Sequence, residues 1–436
     1  GISCPVRRSG WSEDFNQSRG VRTWERCHSW PMSQDFGFRH KLMVELAAAS
    51  GADGDLKRAI RMAPKLAYRN LFHDRLSLIV TLTGIVFSVV LVAVQCGLYL
   101  GSERTIARVI DQTEGEIWIV PLGTKSFDDP SLMTGEEKYA ALAVPGVASV
   151  ENLLVGFSKW RKPGGGTTTI LLVGSDWEDG GLAPWNIIEG SLHDLTAPFT
   201  VSVDKSYFKD LGIKQLDDVA EINGAKIRVA AVNKRIRSFT TLPYVFTKRD
   251  SALALLGASA REASYTLVRT TPGTDVEVVR NELSKLLPDA EVLLRGEFRK
   301  RSLNYWLFQT GAGAALIAGA LLGLIVGVVI VAQTLYSSTK DHLNEFATLR
   351  ALGASGGYIH QVILLQAMIS ALIGYTVGMI LSLLVIWASQ DTTLNIVMTP
   401  GLAAALFAVT IGMCAIAAVS AIFKVTRIDP AGVFSR

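Results

Sequence analysis

The sequence predicts a membrane α-helical fold: four transmembrane helices, with an α+β extracytoplasmic domain inserted between helices one and two. Three observations carry this. Hydrophobic residues make up 49% of the 436 and charged residues only 19%, with a mean hydropathy of +0.31, too apolar for a soluble chain of this size. Four uncharged runs each reach the roughly 20 residues that a helix needs to cross the hydrocarbon core. Between the first and second lies a polar stretch of about 200 residues, the size of a full domain or two small ones.

The spans fall near Leu76–Tyr99, Gly311–Leu335, Ile363–Trp387 and Leu402–Phe423. Their short flanks set the orientation, because basic residues stay on the cytoplasmic side. Arg61, Lys65, Arg69 and Arg75 precede the first span, Lys340 and Arg350 lie between the second and third, and Lys424, Arg427 and Arg436 follow the fourth. The link around Ser389–Pro400 carries Asp391 and no cation. Both termini are therefore expected inside and Gly101–Arg301 outside. Arg299, Lys300 and Arg301 count against this, but they end a long segment, and long segments translocate largely regardless of charge.

The expected organisation is a lead-in and first span over 62–100, an α+β domain over 101–303, and the second span within 304–339. A cytoplasmic segment follows over 340–358, then the third span at 359–388, a short loop at 389–401, the fourth span at 402–424 and a tail at 425–436. Residues 1–61 differ from the rest. They are polar, hold Trp11, Trp24 and Trp30 without periodicity, and contain no apolar stretch fit for a signal-peptide core. The expectation is a misassigned start or a disordered extension.

Within the domain, short β-branched or apolar runs bounded by turn residues predict strands. They are Glu116–Val120, Thr167–Val173, Phe199–Val203, Lys226–Val232, Pro243–Phe246, Tyr265–Arg269 and Glu291–Leu294. Thr247 with Asp250 reads as a capping box opening a helix through Leu256. Thr274 opens another, with Val276, Val279, Leu283 and Leu286/Leu287 on one face and Pro288 ending it. Two small lobes are expected.

Chemistry is sparse. A net charge of +4, without a long Lys/Arg run, does not suggest a nucleic-acid binder. Cys4, Cys27, Cys96 and Cys414 form no CxxC pair, so neither a disulfide framework nor a zinc site is expected. His193 is the domain's only histidine. Asp128-Asp129 and Asp217-Asp218 read as solvated turns, and Gly164-Gly165-Gly166, lacking GxxxxGK[ST] spacing, reads as a loop or hairpin turn. No catalytic, cofactor or metal residue is expected.

The second span carries Gly319, Gly323 and Gly327 at four-residue intervals, and the third carries Gly374 and Gly378. Such stripes let backbones approach closely, either within one chain or across a dimer seam. No Asp, Glu, Lys or Arg lies within a span, so ion-coupled transport lacks its usual intramembrane group. Energy must then come from elsewhere, and the sequence contains no nucleotide-binding motif. After the second span, Leu343, Phe346, Ala347 and Leu349/Arg350 fall at helical spacing, with Gly353 placed as a C-cap. This amphipathic pattern suits either an interfacial turn or a helix that docks on an ATPase.

Glu345-Phe-Ala-Thr-Leu-Arg350-Ala-Leu-Gly353-Ala resembles the E-x-A-x-L-R-A-L-G-A segment that follows the second span of MacB/FtsX/LolC-type ABC permeases, the mechanotransmission family. Arg427-Ile-Asp-Pro430-Ala is similar to that family's ending, and the order of spans and domain matches over Met62–Arg436. The stretch from Gln333 to Thr348 looks closest to DevC-type permeases. The resemblance implies a homodimeric, non-catalytic permease in the bacterial inner membrane, with ATP bound by a separate ABC ATPase. It places Glu345, Phe346, Leu349 and Arg350 against that ATPase. It further implies a membrane-fusion adaptor, an outer-membrane channel, and export of a lipid, glycolipid or other amphiphile. FtsX-like control of cell-wall hydrolases and LolC-like lipoprotein release are the alternatives.

Overall fold

The structure, a computed structural model, describes residues 64, 66–342, 345, 348, 356–389, 392 and 394–426, all within the unit Ile60–Arg436. The expectations for 1–61 and for the tail after 426 lie outside the described residues. Among the described residues, four helices are long and apolar enough to cross a membrane: α1 (Arg75–Asp111) and, after the domain, the spans starting at Ala312, Gly357 and Pro400.

Helix α1 starts where Asp74 accepts a hydrogen bond from the Ser77 amide at 3.2 Å, which satisfies one of the helix's free N–H groups. It then runs 37 residues without a break, about 55 Å at 1.5 Å per residue. That far exceeds the ~30 Å of hydrocarbon. The expected boundary at residue 100 therefore falls inside the helix, and the last three turns stand clear of the span. Val109 and Ile110 at its tip are buried in the domain's core.

The domain holds ten strands: β1 (Ile117–Pro121), β2 (Val147–Arg161), β3 (Thr167–Ser175), β4 (Ile187–Gly190), β5 (Thr200–Asp204), β6 (Val219–Ile222), β7 (Ala225–Asn233), β8 (Tyr244–Lys248), β9 (Tyr265–Thr270) and β10 (Ala290–Leu294). Their order is β10-β1-β9-β2-β3-β8-β5-β7-β4. The long β2 joins two lobes. Its first half pairs with β9, and its second half, from Leu154 on, pairs with β3. Strand β6 pairs with both β2 and β7, which closes β2-β3-β8-β5-β7-β6 into a ring and removes its free edges.

Alternation along β1 divides the first lobe's two faces. Ile117 and Ile119 join Val268, Val279 and Leu283 on one side. Trp118 and Val120 join Tyr265, Phe298 and the tip of α1 on the other. The ring's core contains Leu154, Trp160, Leu172, Val203, Tyr207 and Val245, with the Trp160 indole N–H donating to the Leu211 carbonyl at 3.0 Å.

Further α-helices of six residues or more among the described residues are α2 (Glu137–Leu142), α3 (Arg249–Leu256), α4 (Val276–Leu286), α5 (Arg295–Asn304), α6 (Ala312–Asp341), α7 (Gly356–Ala388) and α8 (Pro400–Thr426). The capping box at Thr247 is not formed. That hydroxyl donates to the Thr200 carbonyl at 2.7 Å, so it ties β8 to β5 and leaves Lys248 as an N-cap without a side-chain bond. In α4 the cap is Asp275 rather than Thr274, accepting from the Glu277 amide at 3.0 Å. Val279 and Leu283 are buried there and Leu287 packs against them, while Leu286 is exposed. The three glycines 164–166 form the β2–β3 hairpin turn, closed by the Lys162 amide on the Gly166 carbonyl at 3.0 Å.

Two connections join domain and membrane, and they differ. One is the unbroken α1. The other passes from α5 through a π-helical turn, Tyr305–Gln309, to Gly311 at φ +80, a left-handed conformation that favours glycine. The first is one continuous helix, whereas the second is interrupted by a π-helical turn and a left-handed glycine.

Candidate functional site at the membrane–domain junction

Helix α1 makes its most extensive span contacts with α6 and α7. Ideal Cβ atoms built on Gly319, Gly323 and Gly327 of α6 would lie 2.7 Å from Gln95, 2.9 Å from Leu91 and 2.5 Å from Ser88. The partner numbers fall as the glycine numbers rise, as antiparallel packing requires. Against α7 they rise together: Gly374 meets Ile85 at 2.5 Å and Gly378 meets Val89 at 2.9 Å. All five stripe glycines therefore pack on α1 of the same chain. The Ser88 hydroxyl adds an interhelical hydrogen bond to the Gly323 carbonyl at 2.8 Å.

Of the segment after α6, Glu345 is helical and exposed, with its carboxylate 3.3 Å from His342 Nδ1. Leu343, Phe346, Leu349, Arg350 and Gly353 lie outside the described residues.

The domain's acidic pairs separate. Asp217 sits on an exposed turn paired with Arg228, and the half-buried Asp218 accepts from the Lys214 amide at 2.7 Å. Asp128 is a correction: it is buried, and its carboxylate accepts from the Tyr244 hydroxyl. Burial pushes its carboxyl up from 3.8 to about 6, the Tyr244 bond acting against the rise. Because the folded value is raised, this contribution to stability is complete below the ordinary carboxylate pKa. It is lost as pH climbs through about 6. The chain is thus expected to lose roughly 2–3 kcal/mol between about pH 4 and 6 from this group. Asp128→Asn, which keeps an oxygen for Tyr244, should abolish that slope and raise the unfolding temperature at pH 7. Thermal unfolding of the detergent-solubilised chain across this range checks both.

A cavity of about 1000 Å³ opens where α1 leaves the membrane. Helix α1 supplies Arg104, Arg108 and Asp111, and the short helical segment 205–211 after β5 supplies Lys205 and Lys209. The loop after β7 adds Lys234, Arg235 and Arg237, and α5 adds Arg299. Its floor is residues 394–398, together with Ile386 and Ser389 from the end of α7. This floor is fixed by close contact. The Val397 amide donates to the Gly97 carbonyl at 3.0 Å, and Asn395 Nδ2 donates to Thr105 Oγ1 at 3.1 Å. A Cβ on Gly101 would lie 1.5 Å from the Asn395 carbonyl oxygen, so only glycine permits this approach.

Eight cations thus line the cavity against one carboxylate, Asp111, and Asp111 is already held by Arg299 Nε at 3.2 Å. Arg299 also reaches Glu103 at 3.7 Å, and Arg301 pairs with Glu291. Arg299 and Arg301 of the 299–301 cluster thus each have acidic partners within the domain and α1. Sequence reading missed this site. Two signals were present: Arg104 and Arg108 are one helical turn apart, and Lys234-Arg235-Ile-Arg237 holds three cations in four residues.

Two family models match in chain order: the MacB-like periplasmic core domain over residues 78–286 and the FtsX-like permease C-terminal region over 317–430. This chain belongs to the MacB/FtsX-type ABC transporter permeases. Among curated relatives of this permease, an uncharacterised ABC transporter permease of Mycobacterium tuberculosis (strain ATCC 25618 / H37Rv) is 24% identical over 368 residues, 83% of this chain and 95% of the relative. Another, from Methanocaldococcus jannaschii, is 24% identical over 347 residues, 73% of this chain and 82% of the relative. The periplasmic region of MacB from Actinobacillus actinomycetemcomitans aligns with a TM-score of 0.34 at 14% identity, covering 44% of this chain and 94% of that one. The extracellular domain of the noncanonic ABC-type transporter YknZ from Gram-positive bacteria gives 0.32 at 18%, covering 41% and 98%.

Proposed function

We propose that this permease is the non-catalytic membrane subunit of an ABC exporter. ATP closure on a separate ATPase would be relayed to the domain, driving export of a lipid, glycolipid or other amphiphile through an adaptor. The observation that carries the reading is the continuity of α1. One unbroken helix is packed by glycines on α6 and α7 at one end and buried in the domain core at the other. A displacement imposed on the spans therefore reaches the domain without being absorbed between them. The domain-distal ends carry the Lys340–Arg350 flank and the basic tail, which favours a cytoplasmic position for both termini. The inner membrane, a homodimer and a DevC-like outer-membrane channel belong to this same reading.

A chain purified from its native host in mild detergent, with its companions identified, tests the proposal. An ABC ATPase with an adaptor supports export. A cell-wall hydrolase in the adaptor's place would point to FtsX-like regulation, and a bound lipoprotein to LolC-like release. Absence of any ATPase would overturn the proposal.

A further inference from the structure

We propose that the junction cavity holds the anionic headgroup of a membrane amphiphile, a phosphate- or carboxylate-bearing lipid being the class that fits. The inference rests on the export reading for its purpose, and adds where the cargo is held and what charge it bears.

Charge comes first. Among the described residues, Arg104, Lys209, Lys234 and Arg235 line the cavity with no carboxylate in ion-pair contact. Like charges gathered around a concave wall raise one another's energy and concentrate counter-ions, so an anion is the natural occupant. Arg235 is held at φ +68, a left-handed backbone that costs a side-chain-bearing residue on the order of 1 kcal/mol or more. Its carbonyl accepts from Arg108 Nη1 at 3.4 Å, which ties the strained loop to α1.

Depth comes second. Trp387 is 71% exposed near the end of α7, and Trp306 lies just before α6. Such aromatic residues mark the headgroup level of a bilayer. Ser389 follows Trp387 by two residues, and Arg104 is about 7.5 Å along α1 from Tyr99. The cationic wall thus stands at headgroup height.

Composition of the floor comes third. Beside the polar Ser389 and Asn395, it presents Ile386, Leu394, Ile396, Val397 and Met398, continuous with the spans. A free small anion has no use for that surface, whereas the glycerol and first methylenes of a lipid do. The volume also suits a headgroup, falling at the upper end of small-molecule sites.

The test measures binding of short-chain phosphatidylglycerol carrying an acyl-chain fluorophore to the full chain in a non-ionic detergent. Phosphatidylcholine and inorganic phosphate are the comparison ligands. The variant is Lys234→Gln with Arg235→Gly, because glycine accepts φ +68 more readily than arginine and should not impair folding. Lys159→Gln, exposed on β2, is the control. The expected result is binding at least about tenfold tighter for phosphatidylglycerol than for phosphatidylcholine, and a loss of about tenfold or more in the double variant. Lys159→Gln should bind as the unaltered chain does. Equal binding of the two lipids, or an unchanged double variant, overturns the proposal. Competition by inorganic phosphate at the lipid's own concentration would show a soluble-anion site and overturn the amphiphile assignment. No ATPase or ATP is present, so failure here leaves the permease–ATPase coupling untouched, and failure of that coupling leaves this binding result standing.

Discussion

Gly327→Leu is expected to break the seam among α1, α6 and α8. A Cβ at that position would lie 2.5 Å from Ser88 Oγ and 2.6 Å from Met413 Sδ, so two neighbouring helices must move before any longer side chain fits. Overpacking costs about 1–3 kcal/mol in well-packed cores. Displacing Ser88 also forfeits its bond to the Gly323 carbonyl, worth roughly 0.6 kcal/mol between membrane helices. The sum is about 2–4 kcal/mol, enough to lower the unfolding temperature of the solubilised chain plainly. Gly412→Leu provides the contrast, because nothing lies within 4 Å of a Cβ built there. It should unfold with the parent. Equal losses at both positions would mean that Gly412 also faces a protein partner, and no loss at Gly327 would refute the packing described for α1.

The second large effect concerns the unbroken α1. Ile106 sits in the part of α1 between the span and the domain, and is buried. Ile106→Pro removes one backbone hydrogen bond and clashes with the preceding turn, a cost of ~3 kcal/mol or more that kinks the helix. The spans and any ATPase contact are remote from it and should persist. ATP turnover by the assembled complex is therefore expected to stay within about twofold, while nucleotide-dependent change in hydrogen exchange over β1–β10 disappears. Retention of that change with a kinked α1 would mean that α5 and the π-helical turn, not α1, carry the motion.

How far the sequence discloses this architecture depends on the element. The four spans are legible because an uncharged run of sufficient length has no alternative reading. Seven strands are legible from turn residues on both sides. Strands β2, β4 and β6 are not: β4 and β6 are only four residues each, and in β2 Glu151 and Asn152 interrupt the apolar run. The structure buries both and satisfies them, Glu151 with Lys138 at 3.1 Å and Asn152 with Thr266 Oγ1 at 2.7 Å. Those partners come from α2 and β9, distant in space until the chain folds. The same reason hides the junction cavity. Its cations come from α1, two loops and α5, each ordinary in its own neighbourhood, and only their convergence makes them a site. Asp128 errs in the opposite sense: beside Asp129 and Pro130 it has the look of a surface turn, yet the aromatic core takes it in through Tyr244.

The glycine stripes show a further limit. Their spacing reveals a smooth face but not what meets it. The structure supplies the answer through the paired numbering against α1, descending for α6 and ascending for α7.

The central claim is that this permease works by relaying the state of a separate ABC ATPase, and the most direct measurement is ATPase retention by the purified chain. Chain isolated from its native host, unaltered or carrying Leu349→Asp or Glu345→Lys, would be compared for bound ATPase and ATP turnover. The account predicts an ABC ATPase held by the unaltered chain and lost, with turnover falling about tenfold or more, in both variants. An unaltered chain that brings no ATPase, or variants that hold it as firmly as the parent does, would contradict it.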